Sequence, residues 1–385
     1  MHLASFREAA IVSEPNHQPP LFRYAMRYLK DGLMSRWMTQ NPLFLTVFVT
    51  ARCGLNCGHC FYREELLNGN IADELTLDEY RQITENCPPF PKLIITGGEP
   101  FLRQDLTEIA TLFYENRSRS RQITIPTAGQ HTDKIVELVN TLLPSRPDLI
   151  LEIQLSIDGV GEKHDAIRGK GQFERLMQTY RALEPIQRQN SGLRIRFNYT
   201  FSRQTQDHFT ETHHFVTQVL KNPHFDMVLV RRMTIDDQYW GTVDIEKYRQ
   251  AAQLLQVQEQ EKAKGNLFAQ LLTERVRTER DIISQHHIGQ RVMSGCQAGT
   301  LTAIIGETGD IRPCEILDTK LGNLRDHEYD FMTIWKSALA DNHRQRIKQN
   351  QCFCTFETCV RTTMSFQPKW TVQMVKNFVF ERIRM

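Results

Sequence analysis

Three cysteines near the start of the chain have the spacing of ligands to one inorganic centre. Cys53, Cys57 and Cys60 follow residues 44–50, an apolar run rich in β-branched and aromatic residues, which predicts a buried strand. A rigid strand fixes where the following loop begins, so that loop can turn its thiolates towards one point. Iron–sulfur cubanes normally take four thiolates, and three would leave one iron open to another ligand. The triplet therefore predicts an iron–sulfur cluster with a vacant coordination position.

Zinc is the alternative metal for this triplet. A structural zinc site usually takes four ligands, often from two Cys-x-x-Cys-like pairs. His59 could supply a fourth ligand, but it lies between Cys57 and Cys60, from where the same metal is awkward to reach. On this interpretation the chain is a zinc-stabilised binding or regulatory protein without catalysis, and it would be colourless rather than brown and oxygen-sensitive.

Glycine-rich and polar motifs follow two further strand-like runs. Gly97, Gly98 and Glu99 come directly after residues 92–96; the glycines let the backbone approach a ligand closely, and the carboxylate can accept from an ammonium group. Ser156 and Asp158 come at the end of another run, where a hydroxyl and a carboxylate could hold a ribose or an amino group. Ordinary turns remain the alternative at both places, because Gly, Pro and Asp-Gly favour turns without any ligand.

Strand-like and helix-like stretches alternate from residue 43 to about residue 233. Helices are predicted to begin at Thr76, with capping-box spacing, at Asp105 and at Thr132, and to lie near residues 173–183 and 208–220. The predicted strands are residues 44–50, 92–96, 122–126, 149–157, 193–201 and 225–230. This alternation predicts a parallel sheet with right-handed crossovers. Parallel barrels place their chemistry at the carboxyl ends of the strands, where the motifs above fall.

The composition indicates a cytoplasmic protein. The chain has 385 residues and a net charge of +2, without a block of like charges that would suggest nucleic-acid binding. It has neither a signal-peptide core near its start nor an apolar run of the roughly 20 residues that span a bilayer. Nine cysteines in such a compartment indicate metal or redox chemistry rather than disulfides. Cys87 is expected to be an ordinary buried thiol.

The N-terminal region is predicted to form a polar arm followed by an amphipathic helix over residues 21–39, which carry several basic residues. A basic amphipathic helix can lie on a membrane or bind a partner. More often such a helix packs its apolar face on the neighbouring domain, and this is the interpretation we favour. Peripheral membrane contact through residues 21–39 remains open.

A second group of cysteines lies near the C-terminus. Residues 234–290 are rich in Gln, Glu, Lys and Arg and predict solvated helices over residues 245–256 and 267–283. Five cysteines then occur within 64 residues, too many for ordinary core filling: Cys296, Cys314, Cys352, Cys354 and Cys359. A four-thiolate site suits zinc as well as iron–sulfur clusters, so zinc is the alternative here too.

Taken together, these motifs resemble those of the radical S-adenosylmethionine (AdoMet) superfamily. The signature of that family is C-x3-C-x2-C with an aromatic residue beside the last cysteine, which Cys53, Cys57, Cys60 and Phe61 match. The resemblance extends over residues 43–362. It implies an α/β fold, namely a partial (β/α)6 TIM-like barrel with a small C-terminal α+β domain for an auxiliary cluster. It also implies that three cysteines hold a [4Fe–4S] cluster whose fourth iron binds AdoMet.

The resemblance assigns expected AdoMet contacts to several motifs. Gly97, Gly98 and Glu99 are similar to a motif that binds the AdoMet amino group. Thr127 lies where relatives often carry Thr-Asn-Gly, but Ala128 replaces the Asn, so only a backbone role is expected. Arg168, in a stretch similar to the HDxxRG segment of the family, could clamp the AdoMet carboxylate, with a surface ion pair to Asp165 as the alternative. The expected cofactor-binding residues are Phe61, Gly97, Gly98, Glu99, Thr127, Ser156, Asp158, Arg168 and Asn198.

The C-terminal segment resembles the SPASM/twitch extension of many radical AdoMet enzymes. Cys296, the Gly309-x4-Cys314 unit and the late cysteines match it, although C-x-C-x4-C replaces the expected C-x2-C pair. The resemblance implies one auxiliary [4Fe–4S] cluster, held by Cys296, Cys314 and two of Cys352, Cys354 and Cys359. The expected division is residues 1–42 for an arm and amphipathic helix, 43–233 for the barrel, 234–290 for a helical connector, 291–362 for the auxiliary domain and 363–385 for a C-terminal helix.

The function implied by the resemblance is that of a radical AdoMet oxidoreductase or maturase-like enzyme. An external one-electron donor of the flavodoxin or ferredoxin type would reduce the cluster. AdoMet would then be cleaved to a 5′-deoxyadenosyl radical that abstracts hydrogen from a substrate over the barrel mouth. Peptide maturation is the commonest implication of the extension, but residues 1–40 are too short for a peptide-recognition domain. A small-molecule substrate, or a lipid approached through the basic helix, therefore remains open.

Overall fold

A computed structural model describes residues 41–116, 118, 120–231, 243–317, 319–349, 352–367, 369–370, 372–373, 376 and 378. The predicted N-terminal arm and amphipathic helix, except for residues 41 and 42, lie outside these residues, and so does the possible membrane contact. Much of the predicted C-terminal helix lies outside them as well. No helix within these ranges is long and apolar enough to cross a membrane.

The described strands form one nine-stranded sheet in the order β6-β5-β4-β3-β2-β1-β7-β8-β9. Strands β1 to β6 are all parallel to their neighbours, which confirms the predicted parallel sheet. Its two ends are β6 and β9, so the described sheet is open, as a partial barrel requires. The strands are β1 Phe44–Phe48, β2 Lys92–Thr96, β3 Gln122–Thr127, β4 Ile150–Ser156, β5 Leu193–Phe201, β6 Phe225–Leu229, β7 Thr302–Ile305, β8 Asp310–Arg312 and β9 Gly322–Asn323.

Helices connect the parallel strands and continue into the C-terminal region. In the barrel they are α1 Arg63–Asn68, α2 Leu77–Asn86, α3 Leu106–Glu115, α4 Thr132–Leu142, α5 Glu162–Arg168, α6 Gln172–Gln189 and α7 Phe209–His214, which runs on as a π-helical turn. Beyond it are α8 Ile245–Ala263, α9 Leu267–His287, α10 Phe331–Trp335, α11 Ala338–Gln349 and α12 Glu357–Ser365. The sequence pattern did not indicate α1, α5, α11 or α12.

The predicted helix starts are correct, but one predicted cap is not. Thr76 Oγ1 accepts from the backbone N–H of Glu79, whose carboxylate accepts in return from Thr76 N–H, so α2 begins with a full capping box. Helix α3 does follow Asp105, but that side chain makes no cap hydrogen bond. Its carboxylate instead accepts twice from the Arg103 guanidinium at 2.8 Å, because a buried cation competes better than backbone amides for a nearby carboxylate.

The C-terminal hairpin joins the barrel sheet instead of forming a sheet of its own. Strand β7 pairs in parallel with β1, in register from Phe44 with Thr302 to Val47 with Ile305. Strands β8 and β9 then pair antiparallel on its outer side. The loop that leaves β1 is therefore flanked by β2 on one side and by the C-terminal hairpin on the other.

The two faces of the sheet differ in polarity. On β4, Leu151, Ile153 and Leu155 are fully buried in the main apolar core, whereas Gln154 and Ser156 are half-buried on the opposite face. This period of two is typical of strands with one face under helices and the other lining a lumen.

Ion pairs occupy the amino-terminal halves of β4 to β6 on the lumen side. Arg196 on β5 lies 3.2 Å from Glu152 on β4. Arg280 on α9 pairs with Asp226 on β6 at 3.0 Å and with Glu259 on α8 at 3.1 Å. Arg280 and Glu152 are buried, and buried charges require partners. These pairs therefore fasten α8 and α9 to the end of the sheet that is remote from the cysteine loop.

Candidate functional site

The three N-terminal cysteines lie in the loop that leaves β1, and all three are free thiols. Cys60 N–H donates to the Cys57 carbonyl oxygen at 3.1 Å, which folds the second half of the loop into a turn. Burial raises the pKa of each thiol, that of Cys53 to about 11. The thiols are therefore protonated without a metal, and metal binding would displace their protons.

Glu74, which the sequence analysis did not identify, holds the start of this loop. Its Oε1 accepts from Thr50 Oγ1 at 2.5 Å and from the backbone N–H of Ala51 at 3.1 Å. Its Oε2 accepts from Arg52 at 3.1 Å. One buried carboxylate thus fixes three successive residues just before Cys53.

Arg103 holds the same region from the other side. Its Nη1 donates to the carbonyl oxygens of Val49 and Leu75, both at 2.9 Å. These carbonyls lie at the end of β1 and beside Glu74. The sequence offered a signal for Glu74 and Arg103, since both are charged residues close to the predicted motifs. Their partners, however, are far away in the chain.

The Gly97-Gly98 pair packs against the backbone of the cysteine loop. Gly98 N–H donates to Thr50 O at 2.9 Å, and Glu99 N–H donates to Arg52 O at 2.7 Å. Gly97 has φ +143°, and a Cβ there would lie 2.4 Å from Thr50 O; a Cβ on Gly98 would lie 2.1 Å from Arg52 O. Only glycine fits either position. The close approach seen here is to the protein backbone, and the predicted contact with AdoMet stays a prediction.

Glu99 ties the glycine loop to the end of β3. Its fully buried carboxylate accepts from Thr127 Oγ1 at 2.8 Å, from Ala128 N–H at 2.9 Å and from Phe101 N–H at 3.3 Å. Burial raises the pKa of Glu99, and these hydrogen bonds oppose that shift. Glu99 and Thr127 therefore bind each other through their side chains. This contact gives the Thr127 side chain a role, although only a backbone role was expected.

Asp158 is the centre of a buried charge cluster next to the cysteine loop. Arg168 Nε donates to its Oδ2 at 2.6 Å, and Thr200 N–H donates to its Oδ1 at 3.1 Å. His59 Nε2 lies 3.5 Å from the same Oδ2. The alternative partner considered for Arg168, a surface ion pair with Asp165, is wrong, because the guanidinium is buried and pairs with Asp158. The expected contact of Asp158 with a ribose or an amino group stays a prediction, although its carboxylate already has protein partners.

Arg168 is the cation that faces the N-terminal cysteines. Burial raises the pKa of Cys57 and Cys60, and the positive charge of Arg168 opposes that shift at both thiols. An arginine placed in this way stabilises thiolates. Its predicted clamp on the AdoMet carboxylate remains a prediction.

The rest of the segment around Arg168 also has structural contacts. His164 Nδ1 accepts from the backbone N–H of Asp158 at 3.2 Å. Asp165 accepts from Gly171 N–H at 2.6 Å and from Phe173 N–H at 2.8 Å, at the start of α6. The segment therefore joins the end of β4 to two helices.

Ser156 and Asn198 are opposite each other at the ends of β4 and β5. Both are half-buried on the lumen face, and Ile157 N–H donates to the Asn198 carbonyl oxygen at 3.0 Å. The structure thus brings these two predicted cofactor residues together on the carboxyl edge of the sheet.

The C-terminal cysteines share one small apolar cluster with Ala298, Ile347 and Phe356. Hydrogen bonds with Cys352 and Cys359 lower the pKa of Cys296, and a hydrogen bond with Cys359 lowers that of Cys314. Cys354 differs, since burial is the main cause that raises its pKa to about 12, and Cys296 acts on it only through its charge. All five thiols meet, and four of them are in direct contact.

Two contacts at the end of β6 join this cluster to the barrel. The backbone N–H of Leu229 donates to Glu357 Oε1 at 3.1 Å. Arg231 pairs with Glu315, and its guanidinium carbon lies 4.2 Å from the centroid of the Phe61 ring and 4.4 Å from that of Phe356. Arg231 was missed by the sequence analysis, although its place directly after the sixth predicted strand was a signal.

The residues fit the cofactors that the sequence analysis expected. The cysteine loop supplies three thiols beside one buried arginine, and the Nδ1 of His59 in this loop is buried without a partner in the protein, as a group bound by the loop could satisfy. In the second group, hydrogen bonds link Cys296 to Cys352 and Cys359 and link Cys314 to Cys359. Among the described residues, no three His, Cys, Asp or Glu side chains converge as ligands of a single metal ion.

Comparison with known proteins assigns both cysteine groups to families. The family model of the radical SAM superfamily matches residues 47–216, and that of the SPASM iron–sulfur cluster-binding domain matches residues 296–359. The zinc alternative gains no support from these matches.

Relatives and solved structures agree with this assignment. The AdoMet-dependent heme synthase of Methanosarcina barkeri is 28% identical over 78% of this chain and 84% of that protein. The AdoMet-dependent heme synthase of Nitratidesulfovibrio vulgaris is 24% identical over 75% of this chain and 77% of that protein.

Among solved structures, Streptococcus suis SuiB bound to S-adenosylmethionine superimposes with a TM-score of 0.57. It covers 85% of this chain and 74% of SuiB at 17% identity, so it shows the fold alone. SuiB has also been crystallised with its precursor peptide SuiA. The chain therefore carries a radical SAM domain, with a [4Fe–4S] cluster and S-adenosylmethionine as its cofactors, and a C-terminal SPASM domain with an auxiliary iron–sulfur cluster.

Proposed function

We propose that this protein reductively cleaves AdoMet and abstracts a hydrogen atom from a substrate bound over the carboxyl edge of the sheet. The observation that carries the proposal is the three-thiol loop after β1, which lies between the Gly97-Gly98 loop and the buried Arg168. A carrier of electrons alone would need neither an open iron nor these flanking motifs. The proposed reaction class is that of an oxidoreductase.

Cys53, Cys57 and Cys60 are the proposed ligands of the AdoMet-binding cluster. When bound and reduced by an external flavodoxin- or ferredoxin-type donor, this cluster supplies the electron that cleaves AdoMet to methionine and a 5′-deoxyadenosyl radical. The protein orients the cofactors and excludes water. Glu74 and Arg103 fix where the cysteine loop begins, and Asp158 holds Arg168 beside its thiols.

The AdoMet molecule is proposed to lie along the carboxyl ends of β2 to β5. Ser156 and Asn198 are half-buried there and offer a hydroxyl and an amide. Glu99 and Thr127 are proposed to act by shaping the loops rather than through free side chains, because they already bind each other. Phe61 is proposed to border the cofactor beside Cys60.

Cys296, Cys314, Cys352 and Cys359 are the proposed ligands of the auxiliary cluster. Their direct contacts support this set, whereas Cys354 is buried nearby without such a contact. Four thiolates would complete a cubane and leave no open iron. The auxiliary cluster is therefore proposed to transfer electrons rather than to bind AdoMet.

The substrate class is proposed to be a heme precursor. Relatives named as AdoMet-dependent heme synthases align with three quarters or more of this chain and of their own length. The second candidate is a peptide, because SuiB, which has the same fold, has been crystallised with a precursor peptide. The sequence relatives favour the first candidate, since a likeness at 16% identity supports the fold only.

The test is anaerobic turnover of the reconstituted protein with AdoMet, a strong reductant and one candidate substrate at a time. An iron porphyrin carrying deuterium on its carboxylate side chains should transfer deuterium into 5′-deoxyadenosine. Deoxyadenosine without deuterium from any porphyrin, but with label from a deuterated peptide, would favour the second candidate. If no deoxyadenosine forms under any of these conditions, the proposed reaction is wrong.

A further inference from the structure

Arg231 occupies the space between the two cysteine groups. It follows β6 directly, and its side chain is only 16% exposed. One of its aromatic neighbours, Phe61, follows Cys60 of the first group. The other, Phe356, lies between Cys354 and Cys359 of the second group. A guanidinium between two ring faces is held in place by cation–π attraction from both sides.

The charge of Arg231 is directed towards the second group. Its carboxylate partner is Glu315, which follows Cys314 in the chain. The other charges that act on it are led by that of Glu357, which also lies between Cys354 and Cys359 in the chain, followed by those of Cys359, Cys354 and Cys314. The first group has its own cation, Arg168. Each cysteine group therefore has a buried arginine beside it: Arg168 pairs with Asp158, and Arg231 pairs with Glu315 and is also attracted by Glu357.

A buried cation beside an iron–sulfur cluster changes the free energy of its reduction. Four thiolates give the cluster a negative charge, and reduction adds another. Because the interaction is poorly screened inside a protein, a nearby guanidinium stabilises the reduced form more than the oxidised form. Net charge near the cluster is among the factors that set the reduction potential of such centres.

We propose that Arg231 is a positioning residue of the auxiliary centre, whose guanidinium, held between Phe61 and Phe356, raises the reduction potential of the cluster bound by the C-terminal cysteines. The negative charge of Glu315 lowers that reduction potential, and its ion pair with Arg231 keeps the guanidinium beside the C-terminal cysteines. This inference rests on the proposed assignment of Cys296, Cys314, Cys352 and Cys359 to an iron–sulfur cluster.

The experiment is a redox titration of the auxiliary cluster followed by electron paramagnetic resonance. It uses the full chain with Cys57→Ala, so that the signal of the first cluster does not overlap. The variants Arg231→Gln, Arg231→Lys and Glu315→Gln are introduced into this background. The charge account predicts a more negative potential for R231Q, a nearly unchanged potential for R231K and a more positive potential for E315Q.

Shifts of opposite sign in the reduction potentials of R231Q and E315Q are the decisive result, because simple loosening of the structure would shift both potentials in the same direction. Shifts of the same sign, or no shift in either, would overturn the inference. If R231Q fails to retain auxiliary iron, E315Q decides alone, since a positive shift supports the inference and any other result overturns it. Lack of auxiliary iron in the Cys57→Ala parent would instead overturn the cluster assignment itself, and this inference with it.

Discussion

Replacing Gly98 by Ala should separate the cysteine loop from the glycine loop. The new Cβ would lie 2.1 Å from the Arg52 carbonyl oxygen, a distance that no real pair of such atoms tolerates. Neither atom can move freely, because Arg52 O accepts from Glu99 N–H at 2.7 Å and Thr50 O accepts from Gly98 N–H at 2.9 Å. The strain must therefore be relieved by moving one loop away from the other.

The size of the effect follows from these contacts. Overpacking a well-packed site costs about 1–3 kcal/mol, and each of the two backbone hydrogen bonds that would break contributes about 1 kcal/mol. We expect a loss of about 3–5 kcal/mol in the free energy of unfolding. Since domains are typically stable by about 5–15 kcal/mol, the chain should still fold. The cysteine loop, however, should no longer hold its thiols at the positions that the cluster needs.

Two assays measure this prediction, namely urea unfolding of the metal-free protein and iron content after anaerobic reconstitution. The parent should contain about eight irons, four per cubane, and G98A about four, because the auxiliary site is untouched. The matched control is Gly54→Ala in the same cysteine loop, where the added Cβ meets Gln130 Oε1 at an ordinary 3.6 Å. Full iron and normal stability in G98A, or an equal loss in G54A, would refute the reasoning.

Three further predictions concern the auxiliary ligands, the lumen ion pairs and a buried imidazole. Cys354→Ser should keep the iron of the auxiliary cluster, whereas Cys359→Ser should lose it; equal loss in both would show that Cys354 is a ligand. Arg280→Met leaves Asp226 and Glu259 without their shared cation and should lower the free energy of unfolding by about 3 kcal/mol. The control Arg249→Met removes an exposed pair with Glu246 and should change that free energy by less than about 1 kcal/mol. Similar losses for both variants in urea unfolding would contradict this account. Burial lowers the pKa of His164 to about 4, so the neutral imidazole is favoured in the folded protein. The contribution of His164 to stability is therefore present above pH 6.5 and is lost as the pH falls towards 4. Between pH 7.5 and pH 5 the parent should therefore lose about 2 kcal/mol more than His164→Asn, and identical pH profiles of unfolding would show that His164 is not the group responsible.

The sequence predicted the elements that depend on local patterns. Strands β2 and β5 begin and end where the hydrophobic pattern places them, and the capping box at Thr76 fixes the start of α2. The rule that parallel barrels place chemistry at the carboxyl ends of strands predicted that Cys53, Glu99 and Ser156 lie on one edge of the sheet. These features depend on neighbours in the chain or on a general property of the fold.

The sequence did not predict the partners that tertiary packing supplies. Arg168 has Asp165 close by in the chain, yet it pairs with Asp158, because the end of β4 is where its buried guanidinium finds a carboxylate. Glu74 is an unremarked charge in a loop until folding places it under Thr50 and Arg52. The pairing of β7 with β1 joins residues more than 250 positions apart, and no local pattern could indicate it. Which side chains meet at such separations depends on the tertiary structure as a whole.

The most direct test of the account is AdoMet cleavage by the anaerobically reconstituted protein in the presence of a strong reductant. We expect 5′-deoxyadenosine and methionine from the parent and from Cys87→Ala, which alters a buried thiol that packs in the main apolar core. Cys57→Ala should form neither product, because one ligand of the open cluster is gone. Cleavage retained in Cys57→Ala, or absent from a parent that carries its full iron, would contradict the claim that this loop holds the cluster that activates AdoMet.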